Sequence, residues 1–245
     1  MTADSASPPP YAQHASATPK SSRGTAEPQT KVDQHSELPA GVPSSNFQRV
    51  VQSYGIKGTF IIDPELKVPE ELLGPRSQRR ENLYLESTKR GVDVGIWTTR
   101  TPAELGVSEV EVVKAVVKVK VTSWPVFDNR IDLHVGPGTS CDLVISARSD
   151  VYLAVPSDLV GPVTMNVTGN NVYYSASVRA RLVTFSEEHG RRRCFLIDIR
   201  EQNYTERKDW KGSSIEIALE DDSEPRVLLF ALGEEPPEID WTRIG

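Results

Sequence analysis

Cysteine is nearly absent from this 245-residue chain, which has only Cys141 and Cys194, with four histidines and two methionines. No CxxC or HxxxH spacing occurs, so the ligand pairs of a structural zinc site are missing and no metal or cofactor is expected. Two thiols far apart in a chain with no secretory leader read as free and reduced rather than as a disulfide. The opening "MTADSASPPPYAQH" has neither a basic start nor an apolar stretch, which sets the expectation of an intracellular, cytoplasmic protein. In that setting the sequons at Asn166 and Asn203 are incidental. Long apolar runs are missing too. The six residues Val227 to Leu232 are among the longest, against the about 18 that a membrane helix needs, so no membrane span is expected.

Charge of a single sign is also missing from most of the chain. The net charge is −6. Residues 1–52 balance four acids (Asp4, Glu27, Asp33, Glu37) against four bases (Lys20, Arg23, Lys31, Arg49). Residues 213–245 hold nine acids against Arg226 and Arg243. A balanced centre with an acidic end argues against nucleic acid or an anionic membrane as the main partner.

Residues 1–52 are rich in Ser, Pro, Ala, Thr and Gln, with Tyr11 and Phe47 as their aromatics. Such a stretch buries too little apolar surface to offset the ordering of its backbone, and is expected to be a disordered tail. Residues 53–235 are expected to form one domain, followed by a short extension at 236–245. Within the domain, "GTFIIDPELKVPEELLGP" implies a strand at Thr59 to Ile62, then an extended piece, then one helical turn opened by Pro69. "NLYLESTKRGVDVGIWTT" reads as a hairpin or as two rungs of a coil, with Gly91 at the turn.

"SEVEVVKAVVKVKVTSW" carries both helical and strand spacing. Its β-branched content and the alternation of Ala115, Val117, Val119 and Val121 with Lys114, Lys118 and Lys120 favour a strand, with a bulge at Val112-Val113. The segments that follow, from "RIDLHV" to "RVLLFAL", are short and mostly bounded by Gly, Pro, Asn, Asp or Ser, with no helical pattern between them. The fold expected is all-β. A curled or solenoid-like stack of short strands is preferred, with a β-sandwich as the alternative.

Four stretches, "NLYLES…GVDVGIW", "LAVPSDLVGPVTMNVTGNNVYYS", "ARLVTFSEEHGRRRCFLIDI" and "DWKGSSIEIALED", resemble a fungal family of domains of unknown function. That family is distantly similar to adhesin-like β-solenoid domains. The resemblance spans roughly residues 55–233. It implies a scaffold of stacked strands and brings no catalytic residues with it. Where family members have "SNG" between paired strands, this chain has "STKRG" at Ser87 and "TGN" at Thr168.

Several side chains are candidate sites. Glu187, Glu188 and His189 could pair carboxylates with an imidazole, yet before Gly190 they read as a solvated turn. Arg191, Arg192 and Arg193 form a possible anion-binding cluster, set against a charge-balanced hairpin surface. Cys194, His134 and Asp198 supply the residue types of a nucleophile, base and orienter, with nothing in the sequence to bring them together. Trp97, Trp124, Trp210 and Trp241 read as core or rim rather than as sugar platforms. "GPGTS" at Gly136 lacks the lysine of a phosphate loop.

The most specific partner signal is "PPPY". Pro8 and Pro9 pre-form an extended helix and Tyr11 fills a second groove, the pattern bound by WW domains. The reading is of a non-enzymatic interaction or structural domain. Alternatives are a carbohydrate-active enzyme with paired carboxylates on a β-solenoid face, and self-assembly through strand edges.

Overall fold

From β1 to β9 the strands alternate between two sheets, and β1 to β7 each pair in parallel with the strand two further on. The structure, a computed structural model, describes residues 37–72, 81–100, 111–122, 127–168, 171–197, 204, 209–220 and 224–239. These lie in one unit, Gln34–Gly245. The elements are β1 (Ser44–Ser45), β2 (Gln48–Gln52), β3 (Ile56–Ile62), a 3-10 turn (Glu70–Leu72), β4 (Leu83–Ser87), β5 (Val92–Thr98), β6 (Val113–Val121), β7 (Asn129–Val135) and β8 (Thr139–Ala147). They continue as β9 (Val151–Val155), β10 (Gly161–Asn166), β11 (Val172–Tyr174), α1 (Ala176–Arg181), β12 (Leu182–Glu188), β13 (Arg191–Leu196), β14 (Ser214–Leu219) and β15 (Val227–Ala231).

The all-β expectation holds. One sheet runs β1-β3-β5-β7-β9-β15-β11 and the other β12-β13-β10-β14-β8-β6-β4-β2. The connectivity is that of a coil with two strands per turn, and the layering is that of two sheets sharing one core. Up to β9 the turns stack in chain order. The final turn, β14–β15, then enters between β8–β9 and β10–β11 rather than adding to an end.

Parallel pairing in exact register stacks like side chains into inward columns. In one sheet Leu85, Val119, Ile145, Ile217 and Met165 follow one another across five strands. In the other, Val94, Ile131, Leu153, Leu229 and Tyr174 do the same. Apart from Tyr174, every member of these columns is buried. Each fully buried aliphatic side chain contributes about 1.5–3 kcal/mol of transfer free energy.

Corner residues satisfy the backbone between turns. Asn82 accepts from Val116 N at 2.7 Å and donates to the Asn46 carbonyl at 3.1 Å. Asn129 accepts from Val92 N at 3.3 Å and donates to the Asp150 carbonyl at 3.0 Å. Gly91 sits where a Cβ would lie 2.2 Å from the Asp128 carbonyl oxygen, so close approach of neighbouring turns demands glycine there.

Several expectations need correction. Strands begin at Ser44, inside the stretch assigned to the tail. The reason is that β2 is held by its ladder to β4, with Val50 packing against the core as its one inward apolar residue. β3 starts at Ile56, three residues earlier than expected. "NLYLES" and "GVDVGIW" are not a hairpin: β4 and β5 lie in different sheets, as two sides of one turn. No bulge forms at Val112-Val113, because β6 runs in unbroken register with β8 from Val113 to Val121. Pro69 opens a 3-10 turn, closed by Leu72 N to the Pro69 carbonyl at 3.0 Å. The helix α1 departs from the strand-only expectation for this stretch. Ser175 caps it by accepting from Val178 N at 3.4 Å, and Val178 is buried.

Candidate functional site

Beyond β10 the eight-stranded sheet continues into β13 and β12, whereas the other sheet ends at β11. The β12–β13 hairpin therefore overhangs the end of the core. Its register places Glu188 opposite Arg191, Glu187 opposite Arg192 and Ser186 opposite Arg193. The two-residue loop, His189 and Gly190, has φ of 50° and 76°. Positive φ at both positions matches the strand twist of a tight hairpin. The Gly190 carbonyl accepts from Val167 N at 2.8 Å, which pins the loop to the end of β10. Of the stretch read as a solvated turn, only His189 lies in the turn itself, and Glu187 and Glu188 are exposed strand residues of β12.

Alternation splits the three arginines. Arg192 opposes Met165 and so ends an apolar column. Its guanidinium pairs with Glu187 and donates to the Tyr174 hydroxyl at 3.2 Å. Tyr174 ends the facing column, and burial pushes its hydroxyl up to about 12. Arg192, Glu187 and Tyr174 meet at the end of the core, where Arg192 and Glu187 line a cleft of about 270 Å³ together with Met165, Val167 and Val172. Arg192 therefore belongs to a structural cap and leaves the anion cluster.

Arg191 and Arg193 share the opposite face of β13 and are exposed. Among the described residues neither has an ion-pair partner. They open on a cleft of about 550 Å³ that Thr164, Asn166, Ser186, Glu188 and Glu216 also line. That volume lies within the range of small-ligand sites. Residue-by-residue reading missed the hydroxyl and amide lining, because Thr164, Asn166 and Ser186 come from strands far apart in sequence. The alternation of Thr164 and Asn166 with Val163 and Met165 is the signal that faces them outward.

The remaining candidates disperse. Cys194 lies on the core side of β13, and burial pushes its thiol up. His134 lies on β7, in the other sheet, so the two do not form a catalytic pair. Asp198 lies outside the described residues, as do Trp124, Trp241 and Pro8 to Tyr11. Cys141 and Cys194 are both free and buried. They sit on β8 and β13, three strand spacings or roughly 14 Å apart, beyond disulfide reach.

Trp210 is scaffold: its ring packs edge-on to Phe195 at 5.7 Å and to Tyr204 at 5.5 Å, and its Nε1 donates to the Ser213 carbonyl at 2.8 Å. Trp97 stacks on His134, with centroids 3.8 Å apart and planes 7° from parallel. Gly136 lies in a turn where its N donates to the Thr98 carbonyl at 2.9 Å, an ordinary corner contact.

The Trp97–His134 stack yields a pH dependence. Desolvation lowers the His134 pKa below its ordinary 6.5, with Asp132 opposing. The folded chain then binds this proton less readily than the unfolded one. Stability should be level above about pH 6.5 and should fall as the pH drops from there through the folded pKa. Urea melts between pH 8 and 5 check this. His134→Phe, which keeps a stacked ring, should flatten that part of the profile, and an unchanged slope contradicts the assignment.

No curated protein and no solved structure matches the chain. A family model described as "Domain of unknown function (DUF7330)" matches residues 46–226, which takes in the coil, the hairpin and the whole of β14. The match covers most of the chain, from β2 to the residue before β15, and on that extent the chain belongs to this family.

Proposed function

We propose that the chain is a non-catalytic interaction domain that holds an oxyanion-bearing partner in the cleft outside the β12–β13 hairpin. The observation that carries this reading is the pair Arg191 and Arg193, exposed on one face and without a carboxylate partner among the described residues. Two residues apart on a strand, their side chains rise roughly 7 Å from each other. That spacing suits two oxygens of a phosphoryl, sulfuryl or carboxylate group, or two successive groups on an extended chain. Thr164, Ser186 and Asn166 add hydrogen-bond donors beside them. The likeness to adhesin-like domains, drawn from the strand motifs, fits a scaffold that presents such a surface. Free buried thiols fit an intracellular setting, and the acidic stretch 213–245 weighs against nucleic acid as the anion.

The carbohydrate-active alternative needs two carboxylates across one cleft. Glu188 and Glu216 line it, but from β12 and β14, with β13 and β10 between them. Their backbones are three strand spacings apart and two residues out of register, so the ladders do not set the two carboxylates face to face as a glycosidase pair requires.

Binding of inorganic phosphate, inorganic sulfate and a poly-glutamate peptide, followed by amide NMR, tests the reading. Shifts should centre on β10, β12 and β13. Arg191→Ala with Arg193→Ala should weaken binding of the probe that binds by about tenfold or more, since a charge-assisted hydrogen bond contributes about 1.5–3 kcal/mol. Lys57→Ala with Lys118→Ala, an equal charge change elsewhere, should have little effect. Equal losses in the two variants would reduce the site to general electrostatics.

The tail carries a second reading on its own motif. We propose that Pro8, Pro9 and Tyr11 bind a WW domain, because adjacent prolines and a tyrosine fit its two grooves with little ordering. A peptide of residues 1–20 should bind a Pro-Pro-x-Tyr-selective WW domain at roughly micromolar to tens of micromolar affinity. Tyr11→Ala should abolish binding, and matched affinities for the two peptides would retire the motif.

A further inference from the structure

Two rows of side chains cross the cleft outside the hairpin. The ladders put Arg193, Thr164 and Glu216 in one row and Arg191, Asn166 and Ala218 in the next, on β13, β10 and β14 in turn. All six line the cleft. The backbones of β13 and β14 are two strand spacings apart, roughly 10 Å. Between the long arginines on one side and Glu216 on the other, Thr164, Asn166 and Ala218 are short and leave a polar floor.

Charge is opposed across this floor. Two arginines and two glutamates line the cleft, with His189 at the loop end. Glu188 stands opposite Arg191 on β12, behind the arginines as seen from the floor. Glu216 stands in front of them, on the far side of Thr164. Among the described residues no ion pair joins Arg193 to Glu216. A simple anion on the arginines would face the Glu216 carboxylate and be repelled by it. A ligand that carries an ammonium beside its oxyanion would instead be attracted from both sides. An ionised carboxylate has about four acceptor positions, so Glu216 can take an ammonium alongside its other contacts.

We infer that the cleft selects a small zwitterion, with its oxyanion on Arg191 and Arg193 and its ammonium on Glu216. Thr164 and Asn166 hydrogen-bond to it from the floor. This rests on the anion site proposed above, and narrows its ligand to a molecule whose own opposite charges lie about one strand spacing, roughly 5 Å, apart. A cleft of about 550 Å³ takes in a whole small molecule, which favours a soluble ligand over the headgroup of a lipid surface. Selection against simple anions comes from Glu216, and selection against simple amines comes from the arginines.

Amide NMR titration of the full-length chain with 3-aminopropylphosphonate, and with propylphosphonate, which lacks the ammonium, tests this. The wild-type chain should bind the zwitterion tighter by about fivefold or more, an effect between those of an exposed ion pair and a charge-assisted hydrogen bond. Glu216→Gln should remove that preference, while propylphosphonate binds as before or tighter because a repelling charge is gone. Arg193→Ala should weaken both ligands, and Glu188→Gln should leave the preference in place. A preference that survives Glu216→Gln, or that disappears with Glu188→Gln instead, overturns the inference. Equal affinities of the wild-type chain for the two ligands also overturn it and leave the anion site standing, whereas no binding of either removes both. Sedimentation of the chain with phosphatidylethanolamine vesicles would move the charge pair to a lipid surface and overturn the small-ligand assignment.

Discussion

The strand ladders beyond β9 join the rest of the fold through one turn of chain, β14–β15. Among the described strands, β10, β11, β12 and β13 are joined to the ladders of the sequential coil by way of β14 in one sheet and β15 in the other. The ladders on both sides of that turn are therefore the constraint on which the rest depends. They continue the core columns, with Ile217 between Ile145 and Met165 and Leu229 between Leu153 and Tyr174. They also place Glu216 and Ala218 along the cleft that holds Arg191 and Arg193. The candidate site is thus assembled by a segment that comes after the hairpin in sequence and lies before it in space.

The same columns explain how the core ends. A coil that stopped at Met165 and Leu229 would leave apolar side chains facing water. Instead Arg192 and Tyr174 occupy the next positions of the two columns and meet over the end, with Glu187 neutralising the guanidinium. A half-buried cation is costly unless paired, and here both partners come from strands already fixed by their ladders. Arg191 and Arg193 need no such pairing because they face solvent. One run of three arginines therefore serves two purposes, divided by the period of two along a strand.

Much of this was legible in the residues. The alternation around Val117 and Val119, the short strands and the Gly-, Asn- and Pro-bounded turns point to an all-β chain, and the paired segments Ile131–Val135 with Leu143–Ile145 mark single turns of the coil. The His189-Gly190 loop and the paired charges around it follow from strand alternation too. What could not be read is long-range order. Inward columns look alike from turn to turn, so nothing local in "SIEIAL" or "RVLLFAL" says that they belong between β8–β9 and β10–β11 rather than at the end. Val50 alone gives β2 too little apolar signal, and β4 supplies its ladder from outside. The amides of Asn46, Asn82 and Asn129 bridge the backbones of successive turns, a role that no local pattern marks. The cleft lining was hidden for the same reason, since Thr164, Ser186 and Glu216 become neighbours only through pairing.

Native-state amide hydrogen exchange along the whole chain tests the central place of the last turn most directly. Terminal elements normally fray and exchange through small local openings. If β14–β15 joins the two parts of the fold, amides of Ile215, Ile217, Leu229 and Phe230 should exchange only with global unfolding, with the same dependence on denaturant as those of Ile145 and Leu153. Exchange of β14–β15 ahead of β8 and β9, at low denaturant and with a shallow slope, would contradict the account.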